Sequence, residues 1–296
     1  MRGYSLFGLR NVDRMSDDGL QFVGPAPGRW LQDELTTVDG RVESVVPGFY
    51  PAFARVLHRI DPSGQAIRWS RVCAASGAVA HSLMQWWPIS RDWSAHSSPP
   101  QGRASWEDPM DGNLDQISMS ALYEVLAQFT TAAQVFHGFW TGWGGMRSGS
   151  VGWLSGDGQV DDPPASAFPF PPPVVNGPTL KLPGREYLVF SGALDPGLFA
   201  GWPGSFFWPQ SPSLSWPDDH SWCVGTEIDF DSTLVAGSTV LIEAVLAHPG
   251  LEAWPVAADD LLIVLRGRSQ QVEVSSVAGA LASTGDRPLP DLRARC

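Results

Sequence analysis

The segment Leu214–Ser238 constrains the fold more than any other part of the chain. Within it, Glu227, Asp229 and Asp231 occupy every second position. Because side chains alternate between the two faces of a β-strand, an extended segment would project all three carboxylates to one face. The two apolar residues between them would point to the other face, toward a core. We therefore predict a strand over Ser221–Phe230, followed by an acidic end.

Composition excludes several classes of protein. The 296 residues are 43% hydrophobic and 11% aromatic, which is typical of a globular protein with a sizeable core. A net charge of −12 repels phosphate backbones and anionic lipid, so we expect neither nucleic-acid nor membrane binding. Lys181 is the only lysine, which restricts Schiff-base or nucleotide-binding lysine chemistry to one position. The 14 tryptophans make the chain Trp-rich, and most are expected to pack in the core or at its rim.

The cysteines are odd in number and widely separated. Cys73, Cys223 and Cys296 form no CxxC pair, which argues against a disulfide framework or a cysteine zinc site. The chain also lacks an apolar stretch long enough to span a membrane and a continuous signal-peptide core near its first residue. A reducing cytoplasm is the expected location.

A proline-rich segment divides the chain. Residues 161–178 contain seven prolines in eighteen positions, which disfavours helix and predicts an extended connector. Phe168 and Phe170 within it are expected to dock on a neighbouring surface. We predict an α+β half at 1–160, the connector at 161–178, a second α+β half with the acidic strand at 179–283, and a flexible tail at 284–296.

Helices are predicted from apolar periodicity and capping residues. Helical spacing is clearest in Ile117–Phe129, and a second stripe runs through Gly48–Ile60, with Pro51 suited to the first turn. Trp69–Gln85 indicates a helical pair interrupted near Gly77. A further helix is expected at Thr239–His248, with Ser238 as its N-cap.

Further strands are predicted at Gln134–Thr141, Arg185–Ser191, Leu251–Val256 and Leu261–Leu265. The sum of elements predicts an α+β fold. Its sheet is mainly antiparallel and flanked by helices, and it could divide into two packed subdomains.

Four blocks carry a resemblance to a known group of proteins. They are GFYPAFARVLH, ALYEVLAQFTTAAQVFHGFWTGWGG, REYLVFSG and SWPDDHSWCVGTEIDFDSTLVAGS, in this order. Together they resemble a family of uncharacterised actinobacterial proteins. The resemblance implies a cytoplasmic protein from a GC-rich actinobacterium or one of its phages, and it assigns no activity, cofactor or site residue.

The sequence IDFDSTLV at 228–235 resembles the first motif of haloacid-dehalogenase-type phosphatases. That resemblance implies Asp229 as nucleophile, Asp231 as general acid/base and a magnesium ion between them. Such enzymes also need a downstream lysine, and no lysine follows Asp231. The same carboxylates with Glu227 could instead hold Mg²⁺ or Mn²⁺ for a transferase, or pair with arginines such as Arg185, Arg266 or Arg268 from neighbouring strands.

A second candidate site is a polar turn between two tryptophans. Asp218, Asp219 and His220 lie between Trp216 and Trp222, and these five residues form a candidate binding site. A histidine beside carboxylates can also serve as a general base or metal ligand. His137, within an apolar strand, is expected to be a hydrogen-bonded core residue.

Two functions of different class follow. The first is a non-catalytic binding or regulatory module without a cofactor, whose partner is a protein or a small molecule. An α+β pattern around Leu182–Gly192 resembles immunity proteins, which favours this hypothesis. The alternative is a metal-dependent phosphohydrolase or transferase that uses Asp229 and Asp231, with Mg²⁺ or Mn²⁺ held by Glu227, Asp229 and Asp231.

Overall fold

An open antiparallel sheet organises the chain. The computed structural model describes residues 20–60, 67–90, 108–143, 153–154, 160–161, 170–200 and 210–262. Its strands are β1 (Gln21–Phe22), β2 (Ala52–Leu57), β3 (Val135–Trp140), β4 (Trp153–Leu154), β5 (Val160–Asp161), β6 (Leu180–Leu182), β7 (Arg185–Gly192), β8 (Leu214–Pro217), β9 (Trp222–Gly225), β10 (Ser232–Gly237) and β11 (Ala253–Val256). Its helices are α1 (Arg29–Glu34), α2 (Trp69–Ser76), α3 (Trp86–Ser90), α4 (Gln116–Gln128), α5 (Pro172–Val175) and α6 (Thr239–Ala247).

Nine of these strands form the main sheet. Their order is β1-β7-β3-β8-β9-β10-β2-β11, with β6 also paired to β7, while β4 and β5 pair separately. The ladders join their strands in antiparallel orientation, for example β3 to β7 and β10 to β2. The predicted α+β fold with a mainly antiparallel, helix-flanked sheet is therefore confirmed.

Both faces of the sheet are covered. One core contains the apolar sides of α4 and α6 together with Val56, Val224 and Val235. The other core contains residues of α1 and β6. It also contains Phe53 of β2 and Leu234 of β10, which point to the opposite face of the sheet from Val56 and Val235. Since strand side chains alternate, each central strand contributes to both cores.

The predicted helix at Gly48–Ile60 is wrong, because residues 52–57 form strand β2 instead. This strand lies between β10 and β11, for example with Val56 opposite Thr233. Both of its faces are buried, so almost every residue is apolar and the two-residue period is lost. In a run where nearly every residue is apolar, the positions that one helix face requires are apolar by chance, so the run resembles an amphipathic helix.

Two other helix predictions agree with the structure, and a third agrees in its first half. The helix predicted at Ile117–Phe129 is α4, and that at Thr239–His248 is α6, with Ser238 Oγ accepting a hydrogen bond from Leu241 N at 3.3 Å. α2 covers the first half of the predicted Trp69–Gln85 pair and is followed by Gly77, which has a left-handed φ of 79°. The second helix of the predicted pair is wrong, because residues 78–85 are not helical and α3 begins only at Trp86, beyond the predicted range.

Part of the proline-rich segment is helical. Residues 172–175 form α5, whose first residues are prolines, so the expectation of purely extended chain is wrong there. Proline fits the first turn because its missing N–H would have no partner in the helix. Phe170 docks as predicted, since it is buried against Phe139 and Phe190.

Strands from both sides of the proline-rich segment are neighbours in one sheet, as β3 between β7 and β8 illustrates. The division into halves around 161–178 stays a prediction. Several predictions lie outside the described residues. They are the docking of Phe168, most of the strand at 261–265, the tail at 284–296, and the roles of Arg266, Arg268 and Cys296.

Candidate functional site

The acidic residues do not form a row on a strand. Strand β9 ends at Gly225 and β10 begins at Ser232, so the intervening residues form a turn, closed by a hydrogen bond from Phe230 N to Glu227 O at 3.0 Å. The prediction that Glu227, Asp229 and Asp231 share one strand face is therefore wrong. The glycine before the turn and the polar residues inside it shorten the strand relative to its predicted length.

Asp231 points into the protein. Its Oδ1 accepts a hydrogen bond from the guanidinium of Arg55 at 2.9 Å, and its side chain is only 4% exposed. Arg55 also donates to Ser232 Oγ at 2.9 Å and to the carbonyls of Ser82 and Met84 at 3.0 and 2.7 Å. Burial lowers the pKa of Arg55, and the Asp231 carboxylate opposes that effect. The pair is enclosed and hydrogen-bonded, which is what a buried ion pair requires.

Glu227 and Asp229 bind a different arginine. Arg185 on β7 lies 2.6 Å from Glu227 Oε1 and 3.2 Å from Asp229 Oδ2, and its guanidinium stacks 5.5 Å from the Trp140 ring centroid. Burial raises the pKa of Glu227, although Arg185 opposes this. The predicted pairing with Arg185 is confirmed for these two residues.

The metal interpretation draws no support from this arrangement. The carboxylates engage two separate arginines, one enclosed and one near the surface. Within the described ranges, no group of three or more His, Cys, Asp or Glu residues is placed to hold a metal ion. One oxygen of each carboxylate, Glu227 Oε1, Asp229 Oδ2 and Asp231 Oδ1, already binds an arginine guanidinium.

Next to the buried ion pair lies a chain of neutral polar groups. His58 Nδ1 lies 2.6 Å from the Met110 carbonyl, and its Nε2 lies 2.9 Å from Thr233 Oγ1. Because a carbonyl only accepts, Nδ1 carries the proton and Nε2 accepts from the threonine. Thr226 Oγ1 contacts Thr233 Oγ1 at 2.8 Å. Burial lowers the pKa of His58, so this histidine is a neutral core residue.

A small cleft borders Arg185 and Glu227. Its lining includes Tyr187, Ser213 and Thr226, and its interior has about 20 Å³ of space. That volume suits about one water molecule rather than a substrate. Ser213 Oγ is buried there without a hydrogen-bond partner among the described residues, which is consistent with an ordered water.

The second predicted site is divided between core and surface. Asp218, Asp219 and His220 form the predicted turn between β8 and β9. Trp216 and Trp222 are fully buried, on opposite faces of the sheet, so neither ring lies at the surface beside the turn, and their role in binding stays a prediction. Trp216 lies near the end of β8 and Trp222 begins β9, so the two tryptophans flank the turn of a hairpin. The sheet buries both rings.

His220 joins three aromatic residues that the sequence analysis did not assign to this site. Its ring stacks on Trp30 with centroids 4.1 Å apart, and Trp30 lies 6.3 Å from Phe49. Phe49 stacks on Tyr50 at 4.4 Å. Tyr50 donates a hydrogen bond to the His220 carbonyl at 2.8 Å. We call Trp30, Phe49, Tyr50 and His220 the aromatic surface.

The aromatic surface is partly open to solvent and its backbone is held in an unusual conformation. Phe49 is 57% exposed. His220 has a φ of 53°, the only positive φ of a non-glycine residue among the described residues. Left-handed conformations of this kind persist only where surrounding contacts hold them, and they cluster at functional sites.

Acidic side chains act on two members of the aromatic surface. Burial raises the pKa of Tyr50, and the nearby Asp219 and Glu34 add to this effect. Burial lowers the pKa of His220, while Asp218 and Asp219 oppose it. Partial burial raises the pKa of Asp219, but hydrogen bonds from Ser221 and Thr131 outweigh it and lower the pKa. Asp219 is therefore ionised at neutral pH.

The aromatic surface joins parts of the chain that are far apart, which explains why sequence reasoning missed it. Trp30 lies in the first turn of α1, Phe49 and Tyr50 precede β2, and His220 lies 170 residues after Tyr50. The adjacent Phe49 and Tyr50 before a proline could have indicated an aromatic site at the surface. The incorrect helix prediction instead placed Phe49 in a stripe that faces the core.

No protein-family model, curated protein or solved structure matches the chain. Among the described residues, no helix is both long and apolar enough to cross a membrane.

Proposed function

We propose that this protein is a non-catalytic binding or regulatory module, of the immunity type, and that the aromatic surface contacts its partner. The observation that carries the proposal is the exposed Phe49. Its ring contacts Tyr50 on one side and Trp30 on the other, and Trp30 in turn stacks on His220. Aromatic residues dominate the binding energy of protein interfaces when they are rigid and centrally placed.

The contacts around this surface support binding without large rearrangement. Tyr50 is buried and its hydroxyl holds the His220 carbonyl at 2.8 Å, so the turn and the segment before β2 are fixed to each other. Rings that are already ordered lose little conformational entropy when a partner binds. The left-handed backbone of His220 is consistent with a turn whose conformation places the imidazole ring on Trp30.

The surroundings of the chemically reactive side chains also favour binding over catalysis. Asp231 and His58 are enclosed and hydrogen-bonded to protein groups, and the cleft beside Arg185 has space for about one water. A general acid, base or nucleophile must come within hydrogen-bond distance of its substrate. His58 and Asp231 have no open approach for one.

Peptide selection tests the proposal. A random 12-residue peptide library is selected on the wild-type protein, and the affinities of the selected peptides are measured by fluorescence polarisation. We expect Phe49→Ala to weaken binding about tenfold or more, as for an interface hot spot. Val79→Ala is the matched control because Val79 is 80% exposed and belongs to another part of the chain.

Equal binding to the wild type and to Phe49→Ala by every selected peptide would contradict the proposal. A stability measurement excludes unfolding as a cause of weaker binding. Because Phe49 is more than half exposed, we expect its replacement by alanine to lower the free energy of unfolding by no more than about 1 kcal/mol.

The cytoplasm remains our proposed location. Cys73 and Cys223 are buried free thiols, which is consistent with a reducing compartment.

A further inference from the structure

We infer that the aromatic surface binds a cationic protein segment, one that presents arginine or lysine beside apolar residues. This inference rests on the proposed binding function and specifies the chemistry of the partner. It is carried by the exposed carboxylates beside the aromatic surface, where Phe49 is exposed and Trp30 and His220 are partly buried, together with the net charge of −12.

The first argument is the local charge. Asp218, Asp219 and Glu34 are exposed, and Asp219 and Glu34 both act electrostatically on Tyr50, the buried ring that stacks on Phe49. Helix α1, which provides Trp30, contributes one arginine against two acids. Charge complementarity accelerates encounter with a basic partner and disfavours an acidic one.

The second argument is the chemistry of the rings. Arginine and lysine are attracted to the faces of tryptophan, tyrosine and phenylalanine within about 6 Å of the ring centroid. The described residues show this contact inside the protein, where Arg55 lies 5.8 Å from the Trp69 ring and Arg185 lies 5.5 Å from the Trp140 ring. The Phe49 ring is 57% exposed and so is open to contact by an incoming cation.

The same charge disfavours two other occupants. A second copy of the chain would bring another net charge of −12 against the first, with the same carboxylates around its aromatic surface. A nucleic acid would bring phosphates against Asp218 and Asp219. A basic protein segment meets neither repulsion.

The experiment extends the peptide selection. We expect the selected peptides to be enriched in arginine and lysine relative to the unselected library. Their affinity should fall on the order of tenfold when NaCl is raised from about 0.05 M to about 0.5 M, because salt screens exposed charges.

A charge-matched pair of variants locates the effect. The double variant Glu34→Gln with Asp218→Asn removes two charges at the aromatic surface and should weaken binding about three- to tenfold. The control Glu124→Gln with Glu243→Gln removes two exposed charges from α4 and α6, which cover the opposite face of the sheet, and should leave binding unchanged.

The outcomes separate this inference from the proposed function. Neutral or acidic peptides that still lose affinity with Phe49→Ala would overturn the cationic partner and leave the binding surface intact. Equal losses in both double variants would mean attraction to net charge alone, which also overturns the inference. A wild-type dimer in sedimentation that Phe49→Ala dissociates would identify a second copy as the occupant instead.

Discussion

Asp229 and Asp231 are two residues apart, yet they have opposite surroundings. The Asp229 side chain is 63% exposed and touches Arg185 at its edge, whereas Asp231 is enclosed with Arg55. An alternating sequence pattern cannot reveal this difference, because it depends on where the strand stops. The sequence therefore identified the acidic residues and a pairing with Arg185. It did not reveal that Asp231 is directed to a different arginine from Glu227 and Asp229.

The two aspartates should differ sharply on substitution. Asp231→Asn leaves Arg55 charged and buried, so we expect the free energy of unfolding to fall by about 3–5 kcal/mol. Asp229→Asn breaks an exposed pair and should cost about 0–1 kcal/mol. Urea denaturation of both variants measures the difference.

A metal titration completes this comparison. If Mg²⁺ raised the melting temperature of the wild type and Asp229→Asn abolished that rise, the metal-dependent alternative would regain support. Similar losses of stability in the two variants would contradict the burial of the Arg55–Asp231 pair.

Among helices and strands, the sequence predicted an element correctly where a capping side chain marks the start of a helix. Asp115 caps α4 by accepting hydrogen bonds from Ile117 N and Ser118 N at 3.1 and 3.0 Å, and Ser238 caps α6. Helix period and caps agree in both cases, so both helices were predictable. Strand β2 has neither signal, because two cores bury it from opposite sides.

A glycine holds the β9–β10 turn against the segment before α4. Gly112 has a φ of 65°, and a Cβ there would lie 2.6 Å from the backbone of Ile228. Its N–H donates to the Phe230 carbonyl at 2.8 Å. Side chains longer than hydrogen are therefore excluded by both conformation and space.

We expect Gly112→Ala to lower the free energy of unfolding by about 3 kcal/mol or more, since the turn must move. Gly77→Ala is the matched control. Gly77 has a similar φ of 79° with open space around it, so only the conformational cost of about 1–2 kcal/mol applies. Chemical denaturation of the two variants compares these costs, and equal losses would show that the contact with Ile228 is not limiting.

For the molecule as a whole, two buried histidines predict loss of stability in acid. Burial lowers the pKa of His137 to about 4, and burial also lowers the pKa of His58. The unfolded chain protonates histidine near pH 6.5. Below that pH the unfolded state binds protons that the folded state does not, so the free energy of unfolding falls as pH decreases and is insensitive to these groups above it.

His137 alone should contribute about 2 kcal/mol of lost stability between pH 7.5 and pH 5. Urea midpoints at several pH values measure the slope. We expect His137→Gln to flatten it and His81→Gln, at an exposed position, to leave it unchanged. A steep slope that survives His137→Gln would assign the effect to other groups. The sequence correctly predicted His137 as a hydrogen-bonded core residue, with Ser215 Oγ at 3.0 Å.

The position of β2 has a consequence during synthesis of the chain. This strand ends at Leu57, but its partners β10 and β11 begin only at Ser232 and Ala253. At translation rates of about 5–20 residues per second, the ribosome needs roughly 10–40 seconds to deliver both partners. A nascent chain therefore carries an unpaired apolar strand throughout that interval, and any product that stops before residue 232 keeps it exposed to aggregation.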